Sequence, residues 1–183
     1  MRRSRLNPAG QRGWTLIELA ATLAVIGVLT TLAGSSLDGL TSRLLLRSAS
    51  LTLTQAMRTA RHHAMAEGRA YAVVFDAADR YRIIGGPSTR VVELPARVRF
   101  GAAADALGPP SNPTTPPPAA GVTFRQSMVT FLADGTLSPG PGTIYLTSRS
   151  DHKGSDPSTA AISVTISGHL RRYLWEDRRW NAM

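Results

Sequence analysis

The 183-residue chain contains no cysteine, which excludes disulfides, thiolate metal sites and cysteine nucleophiles together. Lysine is nearly absent: Lys153 is the only one among 21 basic residues, and the rest are arginine. With alanine and proline abundant, that usage reads as compositional bias rather than a phosphate-binding surface. The formal charge of +9 is therefore a weak argument for nucleic acid. Four of the nine charges come from Arg2, Arg3, Arg5 and Arg12, in a 13-residue stretch without an acid. Catalytic signatures are missing as well. The chain has no glycine-rich phosphate loop, no nucleophile elbow and no HExxH pattern, so neither an enzyme nor a cofactor is expected. No metal site is expected at His62 and His63, because neighbouring helical positions point about 100° apart.

One stretch is almost free of charge. Residues 14–34 read WTLIELAATLAVIGVLTTLAG, with Glu18 the single ionisable residue and no proline. As a helix rising ~1.5 Å per residue, the stretch spans roughly 30 Å, the thickness of a bilayer hydrocarbon core. It is longer than the ~7–15 apolar residues of a cleaved signal peptide, so an anchor is favoured. The preceding arginines predict a cytoplasmic N-terminus and an exported remainder. Glu18 costs a few kcal/mol at such a depth, which makes it a functional candidate.

Gly13, Trp14, Thr15, Leu16, Ile17, Glu18 and Leu19, following the basic leader, resemble the processing signature of type IV prepilins and pseudopilins. The resemblance implies that a prepilin peptidase cuts after Gly13, that Trp14 becomes an N-methylated first residue, and that Glu18 occupies the assembly position. Trp14 departs from the usual phenylalanine. Cleavage creates a new α-amine at Trp14, as costly in lipid as the carboxylate. Pairing of Glu18 with the amine of a neighbouring subunit neutralises both and selects one axial stagger. The partners implied are the peptidase, the inner membrane and other pilins or pseudopilins. The expected placement is single-pass in the inner membrane, with a periplasmic C-terminal domain.

Beyond the membrane stretch, Leu46, Ala49, Leu53, Ala56, Met57, Ala60 and Ala64 recur at spacings of three and four, which marks one buried helix face. Arg43, Arg47, Arg58 and Arg61 are expected mostly off that face. Gly34 and Gly39 are points where a bend is expected. The pattern predicts one helix of roughly 50 residues that ends near Glu67 and Gly68, with residues 35–68 its amphipathic continuation.

Residues 69–183 change period and form a predicted β domain. Strands are expected at 70–75, 80–84, 89–94, 97–100, 122–124, 127–132, 143–148, 161–167 and 169–175, with turns at residues 76–79 and at Asp134 and Gly135. Residues 101–121 hold six of the 12 prolines and are expected to be an exposed, disordered insertion. Strands gathered after one long helix predict an α+β fold, the helix packed on antiparallel sheets.

Phe131, Gly135, the run Gly142 to Leu146, the run Ile162 to Thr165, and Gly168 resemble the C-terminal pattern of the GspH/FimT branch of that family. The branch comprises minor pseudopilins of type II secretion and minor pilins of type IV pili. A structural role in a type II secretion pseudopilus is the expectation, with a FimT-like minor pilin of a type IV pilus, with or without DNA binding, as the alternative. For DNA, the candidates are Arg171, Arg172, Arg178 and Arg179 for phosphates, with Tyr173, Trp175 and Trp180 for base stacking. Strand alternation puts Arg171 and Tyr173 on one face and Arg172 on the other, and Glu176 and Asp177 halve the local charge.

Overall fold

A computed structural model of the chain describes residues 15–109, 116–148, 158–176 and 178–183, without the side chains of residues 31–39. Helix α1 runs from Leu16 to Glu67 and continues through Gly27, Gly34 and Gly39. The chain divides into two units, Met1–Leu37 and Asp38–Met183.

In the first unit the helix opens with a cap. The Glu18 N–H donates to Thr15 Oγ1 at 3.3 Å and to the Thr15 carbonyl at 3.0 Å, so Thr15 is the N-cap and Glu18 the third helical residue. Apart from Glu18, Thr22 and Thr30, the described side chains that follow are apolar and exposed, Leu16 by 85% and Ile17 by 77%. Among the described residues no helix is long and apolar enough to cross a membrane. The described side chains of this stretch end at Thr30, while the sequence stays apolar or small to Gly34.

In the second unit the helix is amphipathic. Leu46, Ala49, Leu53, Met57, Ala60 and Ala64 are buried, as the spacing predicts. Two buried hydroxyls on this side satisfy themselves locally, Ser50 Oγ on the Arg47 carbonyl at 2.8 Å and Thr54 Oγ1 on the Ser50 carbonyl at 2.7 Å. The helix stops at Gly68, whose φ of +63° suits glycine, and the Arg69 N–H turns back to the Ala64 carbonyl at 3.2 Å.

Ten strands form two antiparallel five-stranded sheets. In the first, β1 (Tyr71–Ala77), β2 (Arg80–Ile84), β3 (Arg90–Glu93), β5 (Met128–Phe131) and β6 (Leu137–Ser138) lie in the order β3-β2-β1-β5-β6. In the second, β4 (Val98–Phe100), β7 (Gly142–Ser148), β8 (Thr159–Val164), β9 (Leu170–Glu176) and β10 (Arg179–Ala182) lie in the order β10-β9-β8-β7-β4. The inner faces supply Val73, Phe131, Ile144, Leu146 and Ile162 to one core with the helix stripe. The α+β expectation therefore holds. The expected strand at 122–124 is only a bridge from Val122 to Ile144, and β6 and β10 were not expected.

Arg61 departs from expectation by turning inward. Its Nε donates to the Gly135 carbonyl at 2.9 Å and its terminal nitrogen to the Ser167 carbonyl at 3.0 Å. One acceptor lies in the β5–β6 turn and the other in the β8–β9 turn, so one guanidinium ties the helix to both sheets. Gly168 has φ +75°, and a Cβ there would stand 2.6 Å from Arg61 Nε. Both the backbone conformation and the close approach require glycine.

Residues 101–109 of the proline-rich segment depart from the expectation of an exposed insertion, while residues 116–120 are exposed or half-buried. Residues 101–109 lie across the outer face of the second sheet, with Gly101, Ala103, Ala106, Gly108 and Pro109 buried. The Trp175 indole N–H donates to Asp105 Oδ2 at 3.2 Å. The Trp180 indole N–H donates to the carbonyls of Leu107 at 3.1 Å and Gly108 at 2.9 Å. An antiparallel sheet with one wet face alternates buried and exposed residues. From Thr143 to Ser148, and along the whole of β8, every residue is buried. The strap accounts for part of that cover, since the Ala103 N–H donates to Thr159 Oγ1 at 2.8 Å.

Candidate functional site

Two regions carried sequence-level expectations. The first is the start of α1. Gly13 and Trp14 lie outside the described residues. Glu18 stands in the first helical turn, where the positive end of the helix dipole favours a carboxylate. Around it, Leu16, Ile17, Leu19, Leu23, Val25, Ile26, Val28 and Leu29 are exposed on all sides of the helix. A helix apolar on every face requires lipid or other helices around it. The chemistry available is burial of a capped helix end with one acidic group.

The second is the C-terminal hairpin of β9 and β10. Strand pairing sets Trp180 opposite Trp175 and Ala182 opposite Tyr173. Arg171, Tyr173 and Trp175 share the outer face. Arg172 faces the other way, between the buried Leu170 and Leu174. Arg171, Arg178 and Arg179 are exposed and Arg172 is half-buried; Arg178 sits in the turn at φ +56°. Glu176 points to the helix, 3.6 Å from Arg47. Asp177 lies outside the described residues. Both tryptophans are engaged: their rings are 5.1 Å apart, and their N–H groups hold the strap. Trp175 is buried, so of the three aromatics Tyr173 and part of Trp180 remain accessible.

Sequence reasoning passed over a polar cluster at the end of α1. His63 has an acid four residues on: its Nδ1 lies 3.3 Å from Glu67 Oε1. Glu67 also accepts from Arg69 and, at 2.9 Å, from the Tyr71 hydroxyl. The Arg69 hydrogen bond, followed by that of Tyr71, holds the Glu67 carboxyl below its ordinary value. The spacing of His63 and Glu67 was the available signal. Among the described residues no cluster of histidines and acids could hold a metal ion.

The family described as Type II transport protein GspH matches residues 49–168, from within the amphipathic part of α1 through the sheets as far as the Gly168 turn. No curated protein matches the chain significantly. Two solved structures are similar. One is the type IV minor pilin FimU of Pseudomonas aeruginosa, 17% identical, covering 78% of this chain and 96% of that one at a TM-score of 0.48. The other is the minor pseudopilin EpsH from the type 2 secretion system of Vibrio cholerae, 13% identical, covering 75% and 96% at 0.44. The family match alone takes in well over half of the chain: it belongs to the GspH family, and is a pilin-like protein of the GspH/FimT type.

Proposed function

We propose that this protein is a minor pseudopilin, a structural subunit of a type II secretion pseudopilus that assists protein export across the outer membrane. The observation that carries the proposal is the first half of α1, apolar and exposed on every side from Leu16 to Leu29, with Glu18 at its capped start. Residues 14–34 anchor the precursor in the inner membrane, with the N-terminus cytoplasmic and the β domain periplasmic. A prepilin peptidase cuts after Gly13, leaving Trp14 as an N-methylated terminus. On assembly, Glu18 pairs with the α-amine of a neighbouring subunit, and the two charges neutralise each other where water is scarce. The protein performs no catalytic step and needs no cofactor. Deleting the gene and assaying type II secretion beside pilus-dependent motility and DNA uptake tests this. Loss of secretion alone supports the proposal, and loss of pilus functions with intact secretion overturns it.

A second reading, a FimT-like minor pilin that binds DNA, draws on the exposure of Arg171, Arg178 and Arg179. Its test is binding of DNA to the intact chain across a salt series. The reading requires affinity that falls steeply with salt and disappears when these arginines and Arg172 become alanine.

A further inference from the structure

Cysteine is absent, so methionine thioethers are the only sulfur in this chain that a peroxide can oxidise. Four methionines lie among the described residues. Met57 is fully buried in the core and Met128 is half-buried in β5. Met183 ends the chain at 39% exposure, and Met65 stands near the end of α1 at 43%.

Met65 follows Arg61 by four residues, so the two side chains are neighbours on one face of the helix. A Cβ on Gly135 would stand 2.7 Å from Met65 Sδ, 3.2 Å from its Cγ and 3.3 Å from Arg61 Nε. The thioether therefore lies against the backbone of the β5–β6 turn, over the same glycine whose carbonyl accepts from Arg61 Nε at 2.9 Å. A thioether is a weak acceptor, so it covers this hydrogen bond without competing for the donor. A sulfoxide is polar and carries an oxygen acceptor on the sulfur. The side facing Gly135 has no room for that oxygen, since one carbon there already falls within 2.7 Å of the sulfur. Oxidation thus turns the new acceptor towards the Arg61 guanidinium, in competition with the Gly135 carbonyl, or swings the side chain into water and uncovers the bond. Both weaken the same hold.

We propose that Met65 is a site of oxidation by hydroperoxides, and that its sulfoxide loosens the grip of Arg61 on the Gly135 and Ser167 carbonyls. In the step a sulfur lone pair attacks one peroxide oxygen and the O–O bond breaks. That oxygen stays on sulfur, and the other takes its proton and leaves as water. Sulfur loses two electrons and the peroxide gains them. Methionine sulfoxide reductases reverse the change. The site lies outside the assembly segment, and the proposal does not depend on which filament the chain enters.

The test treats the detergent-solubilised full chain with hydrogen peroxide and locates the added oxygen by peptide mass mapping. Met65 should oxidise alongside Met183, and Met57 about tenfold more slowly or less. The unfolding temperature of the treated chain should drop by about 3 °C and recover on treatment with the reductases. Met65→Leu should start at the parent's temperature and show no drop, although Met183 still oxidises. Arg61→Gln should start lower and drop no further, because the hold that the sulfoxide loosens is already gone. Met65 left intact while Met183 oxidises, an unchanged unfolding temperature in the oxidised parent, or the parent's drop repeated in either variant would overturn the proposal.

Discussion

The two halves of α1 share one backbone and little else. From Leu46 to Ala64 the apolar residues, Leu51 excepted, gather on one side and pack into the core of the same chain. From Leu16 to Leu29 they point in every direction and are exposed. The first arrangement is complete when the chain folds. The second leaves its apolar surface to be covered by other molecules, and the one acid in that stretch stands at its capped start. Under the proposed function, the contrast separates residues kept for folding from residues kept for assembly.

The strongest way to break this contrast is at Glu18. Glu18→Val should leave membrane insertion intact while filament incorporation falls by a hundredfold or more, because the unmatched amine costs ~3–5 kcal/mol. Membrane fractionation and immunoblots of sheared filaments measure the two separately, and wild-type incorporation would remove Glu18 from the assembly segment. A matched pair of truncations comes next. Leu53→Ala should destabilise the β domain by ~2–5 kcal/mol in denaturant unfolding. Leu23→Ala, on an exposed residue, should change the same unfolding by less than ~0.5 kcal/mol. Equal losses would mean that the two halves are not distinct in kind. A smaller effect tests the strap: Asp105→Ala removes the acceptor of Trp175 and should cost ~1 kcal/mol, seen as a red shift in tryptophan emission.

The smallest effect concerns pH. Glu67 is held below its ordinary 4.5 in the folded state, first by its hydrogen bond from Arg69. A depressed carboxyl adds stability above its unfolded pKa and loses it as pH falls through the folded one. Unfolding temperature should therefore drop more steeply below pH 4.5 in the parent than in Glu67→Gln. Parallel curves would show that the cluster adds nothing to the fold.

Periodicity in the sequence carried the helix and most strands, because their physics is local. The buried stripe, the Gly68 stop and the Asp134–Gly135 turn each need only a few neighbours. Glu18 stood out because a lone acid in an apolar run is expensive wherever the chain goes. What escaped was decided at long range. Strand β6 is two residues long, and β10 is a short edge strand after a tight turn, too brief for a periodic signal. The strap read as an exposed insertion because its prolines hide a different demand: two indole N–H groups 70 or more residues away need acceptors. For the same reason Trp175 and Trp180 looked like free stacking platforms in one dimension. Arg61 looked solvated until two turns from different sheets came within its reach.

Arg61 also has an evolutionary consequence. The volume filled by its guanidinium is the volume a side chain at position 168 would need, and its acceptors exist only while both turns keep their shape. Positions 61, 135 and 168 are therefore not free to drift one at a time. A lineage that enlarges residue 168 must move the Gly135 carbonyl, 2.4 Å from a Cβ there, as well as shorten residue 61, and one that lengthens either turn must find the helix another hold. In aligned descendants of this chain, the arginine and the two glycines should be inherited or lost as a set.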